Sequence, residues 1–281
     1  MKQRTFVGID LGGTKIHSAL VVGDKVVKDY KRATPRTTKQ SEIVAALIEV
    51  VQKVSDGNVE GIGIGVPGVI DVEAGIVRNA ANLPVLNNMN LRQILEKEFN
   101  IPVYMNNDAN CFVAGEKHFG LGQQFEDIVG LTLGTGIGGG VVINGKLHSG
   151  RNCGAGEFCS IKYKGHNLEH YCSSIFFEKE HNTTALDLFN AAIEGDEKSI
   201  RILREFGTNV GEAIYTIVLA YDPELIVLGG SIARARTWFE EAMHEVLQTF
   251  PNQHIIDNLE IAFSEEPNAA VLGAAALCLN R

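Results

Sequence analysis

Two aspartates in this sequence follow short apolar runs and have the side chain that phosphorylating an alcohol requires. Asp10 lies in "VGIDLGGTK" and Asp108 lies in "MNNDAN". A carboxylate orients the attacking hydroxyl and accepts its proton, and another binds the Mg²⁺ beside the transferred phosphate. We take Asp108 as the candidate base and Asp10 as the metal residue, acting directly or through water. An aspartate after a strand is also a common turn or helix-capping residue, so the pattern leaves both interpretations open.

Two glycine turns have the same spacing in the two halves of the chain. Shifting residues 7–26 by 122 positions places Gly12 on Gly134 and Asp10 on Thr132. Each segment predicts a strand, a glycine turn and a second strand, and successive N–H groups in such a turn bind anions. We therefore expect the turns to bind opposite ends of a polyphosphate. Since one metal ion needs one acidic site, only the first turn carries an aspartate. The predicted nucleotide-binding residues are Gly12, Gly13, Thr14, Lys15, Gly134, Thr135 and Gly136.

A third glycine site and one misleading match complete the phosphate-binding candidates. Gly229 and Gly230 end the apolar run "LIVLGG", where they would seat an adenosine or its phosphates, although a simple strand end is the plainer interpretation. The segment "GTGIGG" satisfies the dinucleotide-binding pattern, but a strand rather than a helix follows it, which argues against that site. No Walker-type phosphate loop is present in the sequence.

Amides and further carboxylates could surround a ligand that has many hydroxyl groups. Asn107 precedes Asp108, Glu157 follows the small-residue turn "NCGAG", and Glu169 lies in "HNLEHYCSS". Amides both donate and accept hydrogen bonds, which suits a sugar. Most glutamates are exposed on the protein surface, so these residues by themselves do not establish a sugar site.

Composition restricts the class of protein. The chain has 281 residues, 45% of them hydrophobic, which is enough for one large domain or two ordinary ones. The formal charge of −9 without a basic face argues against nucleic acid as a partner. Five cysteines without a C-x-x-C pair favour reduced thiols and a cytoplasmic location. The run "AAVLGAAALCL" is too short to span a bilayer, so we expect no membrane segment.

The order of predicted elements, β-β-β-α-β-α, occurs twice and indicates two α/β lobes with a mixed central sheet in each. Apolar spacing predicts helices over residues 40–54, 91–99 and about 199–221, one opening near Thr237 and one from Pro267. We expect residues 1–110 with 267–281 to form the N-terminal lobe and 111–266 the C-terminal lobe, with the last helix packed on the first lobe.

The combined motifs resemble the ROK family (repressor, open reading frame, kinase) of the actin-like, ribonuclease H-like ATPase superfamily. "GIDLGGTK", "GVPGVID", "AANLP", "NNDAN", "LTLGTGIGGGVVINGKL", "GAGE" and "IVLGGSIA" follow in the family's order and cover nearly the whole chain. The resemblance implies a two-lobed ATP-dependent sugar kinase that uses Mg²⁺ and forms a homodimer. It implies that Asp108 is the base. The implied sugar-binding residues are Gly68, Asn82, Asn107, Asp108, Glu157 and Glu169.

The chain departs from the family at the segment that holds zinc in many members. The family histidine three positions after the "GAGE" glutamate is replaced by Ser160, and Asn167 stands where the last cysteine would be. The segment between Ser160 and Glu169 is short, so we predict no zinc site. The zinc-capable residues that remain are Cys159, His166, His170, Cys172 and His181. Packing of residues such as Tyr171, Phe176 and Phe177 would then hold this loop.

The leading hypothesis is a hexose kinase that acts on the 6-hydroxyl of glucose or a related sugar. Kinases for N-acetylhexosamines or fructose are close alternatives. A sugar-responsive regulator without turnover and an actin-like structural ATPase are more distant ones. The retained Asp108 argues against the regulator, as does the short stretch before the first glycine turn, where family repressors carry a DNA-binding segment.

Overall fold

The computed structural model describes residues 4–80 and 82–279 as a mixed α/β protein. The strands are β1 (Thr5–Leu11), β2 (Lys15–Val22), β3 (Lys25–Ala33), β4 (Gly61–Val66), β5 (Val69–Asp71), β6 (Ile76–Asn79), β7 (Met89–Asn90), β8 (Val103–Asn107), β9 (Ile128–Leu133), β10 (Ile137–Ile143), β11 (Lys146–Leu147), β12 (Lys162–Tyr163), β13 (His166–Asn167), β14 (Leu225–Gly229) and β15 (Glu260–Phe263). The helices are α1 (Gln40–Val54), α2 (Leu91–Phe99), α3 (Asp108–Phe119), α4 (Leu168–Tyr171), α5 (Ser174–His181), α6 (Ala185–Ile193), α7 (Glu197–Tyr221), α8 (Glu240–Leu247), α9 (Gln253–Asp257) and α10 (Ala269–Ala276).

The chain forms two compact units. The first consists of Met1–Glu126, Gly140–Gly156 and Glu266–Arg281, and the second of Asp127–Gly139 and Glu157–Glu265. The predicted lobes, 1–110 with 267–281 and 111–266, stay a prediction, since compactness alone does not define a lobe. The first unit also contains residues 111–126, because α3 packs closely against α10. Residues 1–3 and 280–281 lie outside the described residues.

The first unit contains a five-stranded sheet with the order β3-β2-β1-β4-β8. β1 is antiparallel to β2 and parallel to β4, and β4 is parallel to β8, so the sheet is mixed as predicted. The apolar side of α1, including Ile43, Leu47 and Val50, is fully buried in the core beside these strands. This burial follows from apolar residues that recur at helical spacing.

Helix α10 packs against β1, β4 and α3. Glycines permit the close approach, because a Cβ on Gly8 would lie 2.0 Å from the Val271 carbonyl oxygen. A Cβ on Gly63 would lie 1.7 Å from the Ala274 carbonyl oxygen, and one on Gly115 2.0 Å from that of Ala269. A side chain at any of these three positions would therefore push the helix away from its neighbours.

A small antiparallel sheet of β5, β6 and β7 follows β4, and the sequence analysis did not predict it. Its strands are only two to four residues long, which is too short for an alternating pattern to be recognised. The sheet becomes relevant to a cavity described below.

The second five-stranded sheet has the order β11-β10-β9-β14-β15 and repeats the topology of the first. β14 is parallel to both β9 and β15. Phe176, Phe177, Phe206 and Phe239 form a buried aromatic chain with neighbouring ring centroids 4.9–5.5 Å apart. This chain joins α5 to α7 and to the start of α8.

The helix expected to open near Thr237 begins later, at Glu240. The preceding segment, Ile232–Trp238, is 3₁₀-helical with a kink at Ala235. Phe239 between them is fully buried, and a Cβ on Gly207 of α7 would lie 2.2 Å from its carbonyl oxygen. Tertiary packing therefore sets this helix start. No helix in residues 4–80 and 82–279 is both long and apolar enough to cross a membrane.

Candidate active site

Asp10 and Asp108 lie at the carboxyl ends of β1 and β8, the two parallel strands on either side of β4 in the first sheet. Asp10 is in register with Gly65 of β4, and Gly65 with Asn106 of β8, two residues before Asp108. Both carboxylates act on the buried thiol of Cys111, whose pKa is well above its usual value because of burial first and their negative charges second. The structure therefore brings the two aspartates to one edge, where ligands bind in open α/β sheets.

The surroundings of Asp10 suit a carboxylate that binds a cation. Burial raises its pKa, and the positive charge of Lys15 partly lowers it again. The residues described include no cluster of three or more histidine, cysteine, aspartate or glutamate side chains that could hold a metal. Mg²⁺ in kinases takes one or two carboxylates and completes its coordination with water and phosphate. The single carboxylate of Asp10 therefore fits such an ion, with ATP supplying other ligands.

Asp108 is the first residue of α3, and Asn107 is the N-cap. The Asn107 Oδ1 atom accepts hydrogen bonds from the N–H groups of Ala109, at 2.8 Å, and Asn110, at 3.4 Å. Its Nδ2 atom donates to the Gly68 carbonyl oxygen at 3.0 Å. The amide thus fixes the start of α3 and the base candidate on it, and one of its N–H bonds has no partner within the described ranges.

Gly68 has a conformational reason to be glycine. Its φ is +95°, and a Cβ would lie 2.0 Å from the Asn79 carbonyl oxygen. Because its own carbonyl accepts from Asn107, the backbone at Gly68 is joined to the residue before the candidate base. The structure therefore brings together three predicted sugar-site residues, Gly68, Asn107 and Asp108.

The first glycine turn is held by Thr34 and leaves its tip exposed. The Gly12 N–H donates to the Lys15 carbonyl at 2.9 Å, and the Thr34 hydroxyl donates to the Gly12 carbonyl at 2.7 Å. Gly13, Thr14 and Lys15 are exposed, so they are accessible to a ligand.

Asn82 lies beside this turn. A Cβ on Gly13 would be 3.4 Å from the Asn82 carbonyl oxygen, and both residues line a cavity of about 460 Å³. The predicted sugar residue Asn82 is therefore next to a predicted phosphate residue.

The second glycine turn adjoins the third glycine site. The Gly134 N–H donates to the Gly136 carbonyl at 3.0 Å, and the Gly134 carbonyl accepts from the Ser174 N–H at 2.8 Å. Gly230 has a φ of +90°, and a Cβ there would lie 2.3 Å from the Leu133 carbonyl oxygen. Gly229 is in register with Thr132 of β9, so both glycine sites lie at the carboxyl edge of the second sheet. Thr135 at the tip is exposed.

Glu169 and Glu157 lie near each other in the second unit. A Cβ on Gly136 would be 2.6 Å from Glu169 Oε1, so the Glu169 carboxylate touches the second turn. The Cys159 thiol donates to Glu157 Oε2 at 3.4 Å. The pKa of Cys159 is raised to about 11, mainly by burial; the negative charges of Glu157 and Glu169 contribute to the rise, and a hydrogen bond with Ser160 opposes it. The sequence did not indicate that a thiol lies by both carboxylates.

The segment that lacks the family's zinc motif folds as the hairpin β12–β13 followed by α4 and α5. The rings of His166 and His170 stack with centroids 4.1 Å apart, and Cys172 is buried and donates to the Asn209 carbonyl at 3.3 Å. Phe176 and Phe177 are buried, which agrees with a loop held by packing. The absence of zinc stays a prediction.

A buried network of side-chain hydrogen bonds around Asn106 was not predicted from the sequence. Asn106 Nδ2 donates to the Ser149 hydroxyl at 2.9 Å, and Asn106 Oδ1 accepts from the Cys153 thiol at 3.2 Å. The same oxygen accepts from Asn110 Nδ2 and from the Asn107 N–H, both at 2.9 Å. Asn106 is 4% exposed, so its amide needs these partners. The asparagine pair before Asp108 was the only sequence signal available.

Repeated mixed sheets with a glycine turn after the first strand of each define the class, an actin-like ATPase fold. The ROK family model matches residues 6–281, so the chain belongs to the ROK family. A glucokinase of Thermotoga maritima is 32% identical and aligns over 100% of this chain and 99% of its own length. An N-acetyl-D-glucosamine kinase of Haemophilus influenzae is 29% identical and aligns over 98% of this chain and 100% of its own length.

A solved structure supports the same assignment. The ROK family glucokinase of Streptomyces griseus, in complex with glucose and AMPPNP, superposes with a TM-score of 0.82 and 26% identity. The superposition covers 97% of this chain and 98% of that one. The resemblance to the ROK family and the actin-like fold, both predicted from the sequence, are confirmed.

Proposed function

We propose that the protein is an ATP-dependent sugar kinase that transfers the γ-phosphoryl group to the 6-hydroxyl of glucose or a related hexose. The observation that carries this proposal is the position of Asp108 and Asp10 at the same edge of the first sheet, at the carboxyl ends of the parallel strands on either side of β4. One carboxylate there can act as a base while the other lies beside a cation. The relatives named as glucokinase and as N-acetyl-D-glucosamine kinase support the same reaction class.

In this mechanism Asp108 orients the sugar hydroxyl and accepts its proton as the oxygen attacks phosphorus. The start of α3, fixed by the Asn107 cap, holds the carboxylate in place. We assign the sugar to Gly68, Asn82, Asn107, Glu157 and Glu169. Mg²⁺, when bound, would neutralise charge on the phosphates, and Asp10 would hold it, directly or through water.

We assign the nucleotide to the glycine turns. Exposed Gly13, Thr14 and Thr135 would offer backbone or hydroxyl donors to phosphate oxygens, and Lys15 would add a positive charge. Gly229 and Gly230 would bind the adenosine side of the nucleotide.

A kinase for N-acetylhexosamines is the second candidate, and the Haemophilus influenzae relative favours it. The two candidates share Asp108 and differ in whether the pocket accepts an acetamido group at the 2-position. Without the zinc motif, Glu157, Cys159 and Glu169 would shape the proposed sugar pocket in this segment. Their residue types alone do not distinguish the two sugars.

A coupled assay of ADP release, with ATP, Mg²⁺ and a panel of free sugars, tests the proposal. The panel contains glucose, mannose, fructose, N-acetylglucosamine and N-acetylmannosamine. We expect turnover with at least one sugar and its loss in Asp108→Asn, while Asp24→Asn, in the exposed β2–β3 turn, keeps it. If sugars raise the melting temperature but none releases ADP, the protein is a sugar-responsive regulator and the proposal is wrong.

A further inference from the structure

A cavity of about 690 Å³ in the first unit lies outside the residues assigned so far. β5, the turn after it and Arg78 form one wall, and the loop of residues 149–153 forms the other. Small-molecule sites usually measure roughly 300–1,000 Å³, so this cavity has room for a ligand of its own.

The β5–β6 wall is held in place by arginines. Arg78 Nη2 lies 2.7 Å from Asp71 Oδ2 across the hairpin. Arg92 Nη1 donates to the Glu73 carbonyl at 3.0 Å and Arg92 Nη2 donates to the Val72 carbonyl. The turn between the strands therefore has fixed positions for its backbone, and a ligand would meet a preformed surface.

The opposite wall is the loop of residues 149–153, and both of its ends are hydrogen-bonded to the side chain of Asn106. The Ser149 carbonyl accepts from the Ala155 N–H at 3.2 Å, which closes the loop. The Ser149 hydroxyl and the Cys153 thiol both hydrogen-bond the amide of Asn106, at 2.9 and 3.2 Å. Arg151 and Asn152 lie exposed between these two anchors.

The cavity adjoins the proposed sugar site through both walls. Val69, which lines it, directly follows Gly68, and Gly68 accepts a hydrogen bond from Asn107. On the other side, the amide of Asn106 anchors the loop and accepts from the N–H of Asn107, the residue before Asp108. A ligand in the cavity is therefore adjacent to the residues assigned to the reacting sugar.

The charges of the lining select the class of ligand. Asp71 and Glu73 balance Arg78 and Arg151, and Ser149 and Asn152 add neutral donors and acceptors. Apolar Val69, Ile70 and Val72 add a surface for carbon atoms. A balanced polar site favours a neutral ligand with many hydroxyl groups over an anion or a cation.

We infer that this cavity binds a second sugar unit, so that the kinase accepts a disaccharide or glycoside whose first ring is phosphorylated. The inference rests on the proposed sugar kinase activity and specifies the substrate class of that same site. Arg151 and Asn152 are the specificity-determining residues, because they are exposed in the cavity and lie on its anchored loop.

The test compares KM values for single and double sugars with the full-length protein. The pairs are glucose with maltose and with cellobiose, and N-acetylglucosamine with N,N′-diacetylchitobiose, each assayed for ADP release. We expect a lower KM for at least one disaccharide than for its monosaccharide. In Arg151→Ala and in Asn152→Ala the ratio of disaccharide KM to monosaccharide KM should rise about tenfold, the effect of losing one strong hydrogen bond.

Arg201→Ala is the matched control, since Arg201 is an exposed arginine of α7 in the second unit and should leave the ratio unchanged. Isothermal titration with the preferred disaccharide, without nucleotide, should show the same loss of affinity in the cavity variants. Turnover of monosaccharides alone, or an unchanged ratio in both cavity variants, overturns the second subsite and leaves the kinase proposal standing. A protein that phosphorylates no sugar overturns the kinase proposal and the subsite with it.

Discussion

The two glycine turns occupy the same place in two sheets of the same topology, yet they differ in charge and in their hydrogen bonds. Both connect the central strand of a sheet to its antiparallel neighbour through three residues. The first carries Asp10, with a raised pKa, two residues before its glycine, whereas the second has the neutral, half-buried Thr132 there. The first closes from Gly12 to Lys15, and the second closes more tightly, from Gly134 to Gly136.

In the proposed function, the carboxyl edges of the two sheets therefore have different tasks. In the first sheet, the carboxyl edge gathers Asp10 and Asp108, the acidic groups that a metal-assisted proton transfer requires. In the second, the edge offers backbone N–H groups beside Gly229 and Gly230, and Glu169 touches the turn. We therefore assign the chemistry to residues of the first unit and further binding groups to the second.

The strand-end carboxylates should show the largest contrast. Asp108→Asn keeps the size of the side chain but cannot accept a proton, and positioned acid–base catalysis contributes about 10² to 10⁴ in rate. We expect kcat for sugar phosphorylation to fall by that factor, with sugar affinity changed far less. Glu265→Gln is the matched control, because Glu265 follows β15 of the second sheet and its side chain is 87% exposed. Near-normal kcat in Asp108→Asn would remove Asp108 from the role of base.

The turn glycines should separate binding of nucleotide from binding of sugar. In Gly136→Ala the new Cβ would lie 2.6 Å from Glu169 Oε1, so the carboxylate must move, and KM should rise for sugar and for ATP. In Gly12→Ala the new Cβ meets only the Lys15 carbonyl at 3.0 Å, so KM should rise for ATP alone. We expect effects of roughly tenfold, in line with the sensitivity of reacting geometry to small displacements. Equal effects of both variants on sugar KM would contradict the assignment of Glu169.

The buried negative charge of Asp10 at the first turn should lower the free energy of unfolding. Because burial raises the pKa of Asp10 in the folded state above its ordinary value of 3.8, the folded state binds more protons than the unfolded state between the two pKa values. The free energy of unfolding therefore falls as the pH rises through that window, and the loss persists at neutral pH. In Asp10→Asn, measured by denaturation without Mg²⁺, we expect a higher midpoint at pH 7 and a smaller gain on acidification. Thr132→Val should leave the pH dependence as it is, and a wild-type pH profile in Asp10→Asn would refute the assigned cost.

The smallest expected effect concerns zinc. We expect the purified protein to contain no stoichiometric zinc and a chelator to leave its melting temperature unchanged in the absence of Mg²⁺. The second unit holds the segment instead through buried Phe176 and Phe177 and through the Tyr171 hydroxyl, which donates to the Lys164 carbonyl at 3.0 Å. About one zinc per chain by elemental analysis, lost together with stability in Cys172→Ser, would contradict this prediction.

The sequence predicted long periodic elements well and contacts between distant residues poorly. Helices 40–54 and 91–99 begin and end as predicted, because their apolar residues recur at helical spacing and capping residues such as Asn90 bound them. The β5–β7 sheet was missed since its strands are too short for a period. The motif order also revealed the family and the actin-like fold.

The candidate site shows the same limit. The strand-end positions of Asp10 and Asp108 follow from local pattern, whereas the link from Asn106 to Ser149 joins residues 43 apart. Neither that link nor the contact between Gly136 and Glu169 has a sequence signature, because only tertiary folding creates them. The cavity beside residues 149–153 was invisible for the same reason.

Phosphorus-31 NMR of the reaction products tests the central claim most directly. The sample contains the protein, ATP, Mg²⁺ and the sugar that best supports ADP release, with the Asp108→Asn variant measured in parallel. We expect ADP and one new phosphate monoester resonance, coupled to the C6 protons of the sugar, and far slower formation of both in the variant. Inorganic phosphate without a sugar ester, or equal ester formation by the variant, would contradict a sugar kinase that uses Asp108 as its base.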